Sequence, residues 1–317
     1  MSEPAAGSGE NWERQVLERL VRSVLDEQRK TRNWSIFFKI LGFVYLFALL
    51  FLALGWIGGK DKAITGRHTA LVELSGVIAH DSPASAERIN SGLQEAFKDH
   101  NTAGVIVRVN SPGGSPVQAG QINSEIRRLR GLHPQIPLYV VVDDICASGG
   151  YYVAAAADRI YVDPASIVGS IGVLMDGFGF TGTMEKLGVE RRLITAGENK
   201  GFLDPFSPLN AQQKAYAEKM LADIHRQFID VVKQGRGNRL KPVPELFSGL
   251  VWTGQKSIEL GLADALGSVE YVARDVIKAE TVVDFTPKEN IAERFARRFG
   301  SASAEALWRS AASQSVR

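Results

Sequence analysis

The chain has 317 residues, with 37 Lys and Arg against 35 Asp and Glu for a net charge of +2. That length supports one large or two modest domains with a full core, and the balanced, scattered charge offers no footprint for a nucleic acid. The single cysteine, Cys146, excludes an internal disulfide; with no histidine beside it to activate the thiol, it reads as a small buried hydrophobe.

Residues 1–33 are polar and helix-compatible, with Val16, Leu17, Leu20, Val21 and Val24 at helical spacing. Ile40 to Ile57 then runs without a charge, framed by Trp34 and Trp56. As a helix, Trp34 to Ile57 covers about 35 Å, enough for a bilayer core. Ala53-Leu54-Gly55 has the small-x-small pattern of a cleavage site, but the apolar run is too long for a signal peptide and a long polar segment precedes it. Residues 34–57 therefore read as an uncleaved transmembrane anchor. Arg19, Arg22, Arg29, Lys30 and Arg32 before it outnumber Lys60, Lys62 and Arg67 after it, which puts the N-terminus in the cytoplasm and the bulk of the chain outside. Residues 58–68 read as a short polar linker.

From about 69 the pattern alternates. Strands are expected at Ala70–Ile78, Gly104–Val109, Leu138–Val142, Arg159–Val162 and Val189–Ile194, and helices at Ala84–Lys98, Val117–Arg130, Gly149–Ala157 and Phe180–Leu187. Such alternation predicts an α/β domain with a parallel sheet. A long helix is expected near 209–235 and another at Ser268–Ala279. The tail from 288 is basic and amphipathic, then Ser/Ala-rich, and reads as disordered toward its end.

Two glycine turns carry the chemistry. In Asp143-Asp144-Ile145-Cys146-Ala147-Ser148-Gly149-Gly150-Tyr151-Tyr152 a serine stands where a strand turns into a helix. A nucleophile needs that geometry, with free N–H groups beside it for an oxyanion; a plain helix N-cap serine gives the same pattern. Ser111-Pro112-Gly113-Gly114-Ser115-Pro116 also follows a strand and precedes a helix. At the carboxyl ends of neighbouring parallel strands the two turns would adjoin, and the N–H groups of Gly114 and Gly149 would make an oxyanion hole. None of His68, His80, His100, His133 and His225 lies in a motif of triad chemistry. A lysine can serve as base if desolvation keeps it neutral. Lys200, in Glu198-Asn199-Lys200-Gly201-Phe202-Leu203, is the candidate base, and a solvated loop lysine is the alternative. Gly177-Phe178-Gly179-Phe180-Thr181-Gly182 matches a dinucleotide fingerprint only formally, since no acidic strand end follows it; it reads as a loop before a helix. Asp143 and Asp144 lack companions at metal-ligand spacing and read as terminating their strand.

The runs Ser111-Pro112-Gly113-Gly114, Ala147-Ser148-Gly149-Gly150-Tyr151-Tyr152, Val168-Gly169-Ser170-Ile171-Gly172-Val173 and Trp252-Thr253-Gly254-Gln255 resemble those of the signal peptide peptidase A family over roughly residues 69–280. The resemblance implies the Clp protease/crotonase-like fold, a repeated β-β-α superhelix, over a peptidase domain at 69–287. It also implies a cofactor-free Ser/Lys-dyad serine endopeptidase that degrades cleaved signal peptides in or near the bacterial inner membrane. Matched position by position, Ser148 falls on the nucleophile and Lys200 on the general base. Ser170 falls where the family has a serine close to the lysine, and it is expected to orient the amine. A ring-like homo-oligomer of eight is implied, with the serine and lysine of one site drawn from adjacent subunits. A crotonase-like acyl-CoA enzyme and a non-catalytic membrane scaffold of the same fold are the two competing readings.

Overall fold

The computed structural model describes residues 9–53 and 66–287. Their contacts separate an N-terminal unit from a unit spanning Ile64–Lys288. In the first, α1 (Gly9–Ala53) is one continuous helix, so the polar and apolar stretches share a single element. Its segment Glu27–Phe51 has 25 residues and a mean hydropathy of 2.0, by length and composition enough to cross a membrane. The end of the expected span (54–57), most of the expected linker and the tail from 288 lie outside the described residues.

The second unit is built on one sheet. Its strands are β1 (His68–Ser75), β2 (Thr102–Ser111), β3 (Leu138–Ala147), β4 (Arg159–Val162), β5 (Ile167–Gly169), β6 (Val251–Thr253), β7 (Ala265–Leu266) and β8 (Val282–Asp284). The order is β6-β5-β3-β2-β1-β8, with β4 paired to β3 and β7 paired to β4. All pairings are parallel except β5 with β6. β3 serves two neighbours: Tyr139–Val141 pair with β4, and Ile145–Ala147 pair with β5. The central strands carry apolar stretches, Ala70–Val72, Val105–Val107 and Leu138–Val142, because both faces are covered there, as in parallel sheets generally.

One face is covered by α2 (Ala86–Lys98), α3 (Pro116–Leu132), α4 (Gly149–Ala154) and α6 (Ala211–Arg236). Each was legible locally. α2 buries Ile89, Leu93, Ala96 and Phe97 at helical spacing. α3 starts at Pro116 behind Ser115, whose hydroxyl accepts the Gln118 N–H. α6 starts behind Asn210, whose carbonyl oxygen accepts from the Gln212 and Gln213 N–H groups. The other face packs Leu71, Ile106, Val141 and Tyr161 against Val272, Ala273 and Ile277. That last helix begins as α8 (Val269–Tyr271) and widens into π turns over Val272–Ile277.

Between β5 and α6 the chain makes a long excursion, residues 173–210, holding only the short helix α5 (Thr181–Lys186). The expected strand Val189–Ile194 lies here and is not a strand. Its apolar residues are exposed and have no sheet edge to bond to. A second correction concerns Asp143 and Asp144, which sit inside β3 rather than ending it. Asp143 accepts the Arg108 Nε–H at 2.7 Å and Asp144 accepts the Asn110 amide at 3.0 Å, so cross-strand partners on β2 keep both in the ladder. The short α7 (Gly254–Glu259) follows β6 and leads to the last strands.

Candidate active site

β2 and β3 are neighbours, and both glycine turns leave their carboxyl ends: Ser111 pairs with Cys146 just before the strands finish. The first turn is pinned from three sides. The Ser111 hydroxyl donates to the Gly76 carbonyl at 2.6 Å and accepts the Gly113 N–H at 3.1 Å. Ile78 bridges the turn, its N–H donating to the Gly113 carbonyl and its carbonyl accepting the Ser115 N–H, each at 2.8 Å. Gly113 and Gly114 have φ of 99° and 145°. A Cβ at Gly114 would collide with the Ile78 carbonyl, and one at Gly113 would sit 2.6 Å from the Gly149 nitrogen. No side-chain-bearing residue fits either place.

Ser148 follows β3 directly and heads α4 with φ 51° and ψ −121°. A serine held at positive φ stores strain of about 1–3 kcal/mol, tolerated only where the surroundings over-determine it. They do so here: the Ser148 N–H donates to the Gly169 carbonyl and the Ser148 carbonyl accepts the Tyr152 N–H, at 2.8 and 2.9 Å. The hydroxyl makes no capping bond to the helix it heads, so the N-cap reading loses its physical content. Gly149 occupies the first turn of α4, where an N–H has no intrahelical acceptor. A Cβ there would lie 3.3 Å from the Gly114 nitrogen, so the two candidate oxyanion donors adjoin.

Ser148, Gly114, Gly149 and Ser170 all line one cavity of about 610 Å³. Ser170 follows β5 with φ 52°, its N–H donating to the Leu250 carbonyl at 2.8 Å. The rest of the wall is mostly apolar, from Val173, Leu174 and Met175 at the start of the excursion and Met220, Leu221 and Phe228 on α6. Sequence reasoning missed the α6 wall. Met220, Ile224 and Phe228 recur at four-residue spacing, which announces an apolar stripe but not the cavity it faces.

Among the described residues lining this cavity there is no Lys, His, Asp or Glu. Lys200 stands elsewhere, exposed, in a turn closed by its own N–H donating to the Gly197 carbonyl at 3.1 Å. The structure therefore brings together four of the five expected site residues within the protomer and leaves the fifth outside. His225 does not fill the gap: its Nε2 lies 3.1 Å from the Ile171 carbonyl, and it does not line the cavity. Cys146 is fully buried two residues from Ser148, and burial pushes its thiol far above the usual range, which removes it as a nucleophile. The Gly177–Gly182 run is an exposed loop over 177–180 that passes into the first residues of α5.

α6 is fixed to the sheet from its far end. Arg236 is 2% exposed and grips Asp264 with both Nη atoms at 2.8 and 2.9 Å. Asp264 also accepts the Ile160 N–H at 2.7 Å and Arg239 at 3.2 Å. Burial alone would raise the Asp264 carboxyl; the Arg236 hydrogen bonds and charge outweigh it and hold the group below the usual carboxylate range.

The model of peptidase family S49 matches residues 131–283. The chain is 30% identical over 209 residues to "Putative protease slr0021" of Synechocystis, covering 66% of this chain and 73% of that one. It is 29% identical over 219 residues to "Serine protease SPPA, chloroplastic" of Arabidopsis thaliana, 68% of this chain and 32% of that one. It is also 48% identical over 177 residues, 56% of its length, to a Brucella melitensis protein named "Na(+)/H(+) antiporter NhaA". The chain spans only about a quarter of that protein and of its Brucella abortus counterpart.

Proposed function

The chain belongs to peptidase family S49, and from that premise we propose that it is a membrane-anchored serine endopeptidase with Ser148 as nucleophile and Lys200 as general base. The observation that carries the reading is the uncapped, strained Ser148 beside the Gly114 and Gly149 N–H groups at the mouth of an apolar cavity. Ser148 Oγ attacks the scissile carbonyl carbon while its proton passes to the neutral Lys200 amine. The carbonyl oxygen becomes an oxyanion held by the two N–H groups. Collapse breaks the C–N bond, and the leaving amine takes the proton from Lys200. Water, deprotonated by the Lys200 amine, then attacks the acyl carbon; the bond to Ser148 Oγ breaks and the oxygen takes the proton back from Lys200. Ser170 orients the amine.

Lys200 reaches a site only from a neighbouring copy in this reading. The excursion that bears it exposes Leu174, Phe178, Leu187, Ile194 and Leu209, an apolar surface of the kind that subunit contacts bury. Among the described residues, the wall of Ser148's own cavity holds no Lys, His, Asp or Glu. A closed homo-oligomer, eight copies as the family resemblance implies, would desolvate the lysine and complete every site at once. The parallel sheet with helices on its faces accords with the repeated β-β-α superhelix of that family. The apolar wall suits hydrophobic peptides, and α1 would hold the site near the bilayer, where released signal peptides lie. The N-terminus is cytoplasmic and the peptidase unit extracytoplasmic in this reading, by the charge bias around the span.

A fluorophosphonate probe on the detergent-solubilised protein tests the nucleophile. Labelling at Ser148 is expected and Ser148→Ala abolishes it. An assembled, unlabelled protein that still hydrolyses peptides would exclude the serine mechanism.

A further inference from the structure

The cavity at Ser148 does not end at Tyr152. A second cavity of about 690 Å³ lies between α3 and α6, and Pro116, Tyr152, Ile224 and Gln227 belong to the walls of both. The two halves differ in chemistry. On the Ser148 side the wall is Val173, Leu174, Met175, Met220 and Phe228. On the far side polar groups join the wall, with Asn90, Gln121, Ser124 and Gln227 beside the exposed Val117, and it ends at the Glu125–Arg128 ion pair.

Tyr152 stands at the divide and its position is set by both helices. Its carbonyl accepts the Asn123 amide of α3 at 2.7 Å, and its ring packs 5.1 Å from that of Phe228 on α6. The floor beyond it is low because α3 presents Gly120 and Ser124 there, one turn apart. A Cβ at Gly120 would meet only the Tyr152 hydroxyl, at 4.0 Å. From Pro116 to Arg128 the helix rises about 18 Å, at about 1.5 Å per residue. At about 3.3 Å per residue that is the reach of five extended residues.

We infer that the α3–α6 groove is a second substrate subsite, which takes a polar flank of the peptide on one side of the scissile bond while the apolar residues beside that bond fill the Ser148 cavity. The inference rests on the peptidase reading above and adds to it a requirement for an amphipathic substrate. Gly120 is the specificity-determining position, since its missing side chain keeps the passage past Tyr152 open.

The test uses the intact protein in detergent and three internally quenched peptides: a short apolar core, and the same core extended by five polar residues on its amino or on its carboxyl side. The wild-type protein should favour one extended peptide over the core through a lower KM. Gly120→Leu, which fits the helix and fills the groove floor, should raise KM for that peptide about tenfold, equivalent to about 1.4 kcal/mol of binding. Kinetics on the short core and fluorophosphonate labelling of Ser148 should stay unchanged. Ser124→Leu should act in the same direction. If neither extension lowers KM, or if Gly120→Leu slows the short core equally, the subsite is overturned and the peptidase stands. Absence of both labelling and hydrolysis in the wild-type protein removes both.

Discussion

The Ser148 turn and the 173–210 excursion belong to the same chain but obey different rules. Around Ser148 the turns are tied at many points, Ser111 to Gly76, Ile78 to Gly113 and Ser115, Ser148 to Gly169, while the Gly114 and Gly149 N–H groups are left for a substrate oxygen. The excursion carries Lys200 with one short helix and a row of exposed apolar side chains, Ile194 at 95%. A nucleophile's direction can be set by its own protomer, because strand, turn and helix are contiguous. A lysine acts as a base only where desolvation keeps its amine neutral, and Lys200 is exposed in this protomer. The difference teaches that in the proposed dyad the serine is set by the fold of one protomer, whereas the lysine would have to be set by assembly.

The sharpest way to break that comparison is complementation. Ser148→Ala and Lys200→Ala should each lower kcat by on the order of 10^6. Co-assembled subunits of the two variants should regain measurable hydrolysis, because a mixed boundary can unite an intact serine with an intact lysine. Well-mixed assemblies that stay silent would mean that the excursion does not serve a neighbour's site.

A smaller effect separates the regions by stability. Asp264→Asn leaves the buried Arg236 guanidinium without its counter-charge, and should destabilise the 64–288 unit by about 3–5 kcal/mol, read as a lower thermal midpoint. The pH dependence follows from the depressed carboxyl. Its folded-state value lies below the unfolded value of about 3.9, so the contribution is complete above that value and is lost as pH falls through the lower, folded one. The variant's midpoint should therefore be flatter than the wild type's in that acid range. An equal acid slope in both proteins would show that Asp264 is not the group responsible.

The smallest stability effect belongs to the excursion. Ile194→Asp changes a side chain that touches almost nothing in its protomer, so the separated protomer should keep its stability within about 0.5 kcal/mol. Sedimentation should nonetheless shift toward smaller species, with activity falling in parallel. An unchanged assembly would take Ile194 out of the contact surface.

Much of this molecule was legible along the chain. The apolar stretches 105–107 and 138–142 read as strands covered on both faces, and Ser115-Pro116 and Asn210 announced helix starts by their own hydrogen bonding. The paired glycine turns announced a place where backbone must approach backbone, and the contacts at Gly113 and Gly114 give the reason. The illegible parts share a cause. β5, β6, β7 and β8 have two or three residues each and exist through their partners rather than their composition. Val189–Ile194 failed in the opposite sense, with a strand's composition and no partner.

By itself, then, the sequence determined what its neighbours in the chain decide: the apolar span within α1, the α/β alternation, and a serine on a bend between two glycine turns. Tertiary structure alone decided that α6 walls the Ser148 cavity, that β3 runs on past Asp143 and Asp144, and that Lys200 lies outside that cavity. The physical reason is range. Periodicity and capping act over a few residues, whereas burial and the dielectric around an amine depend on elements dozens of residues away.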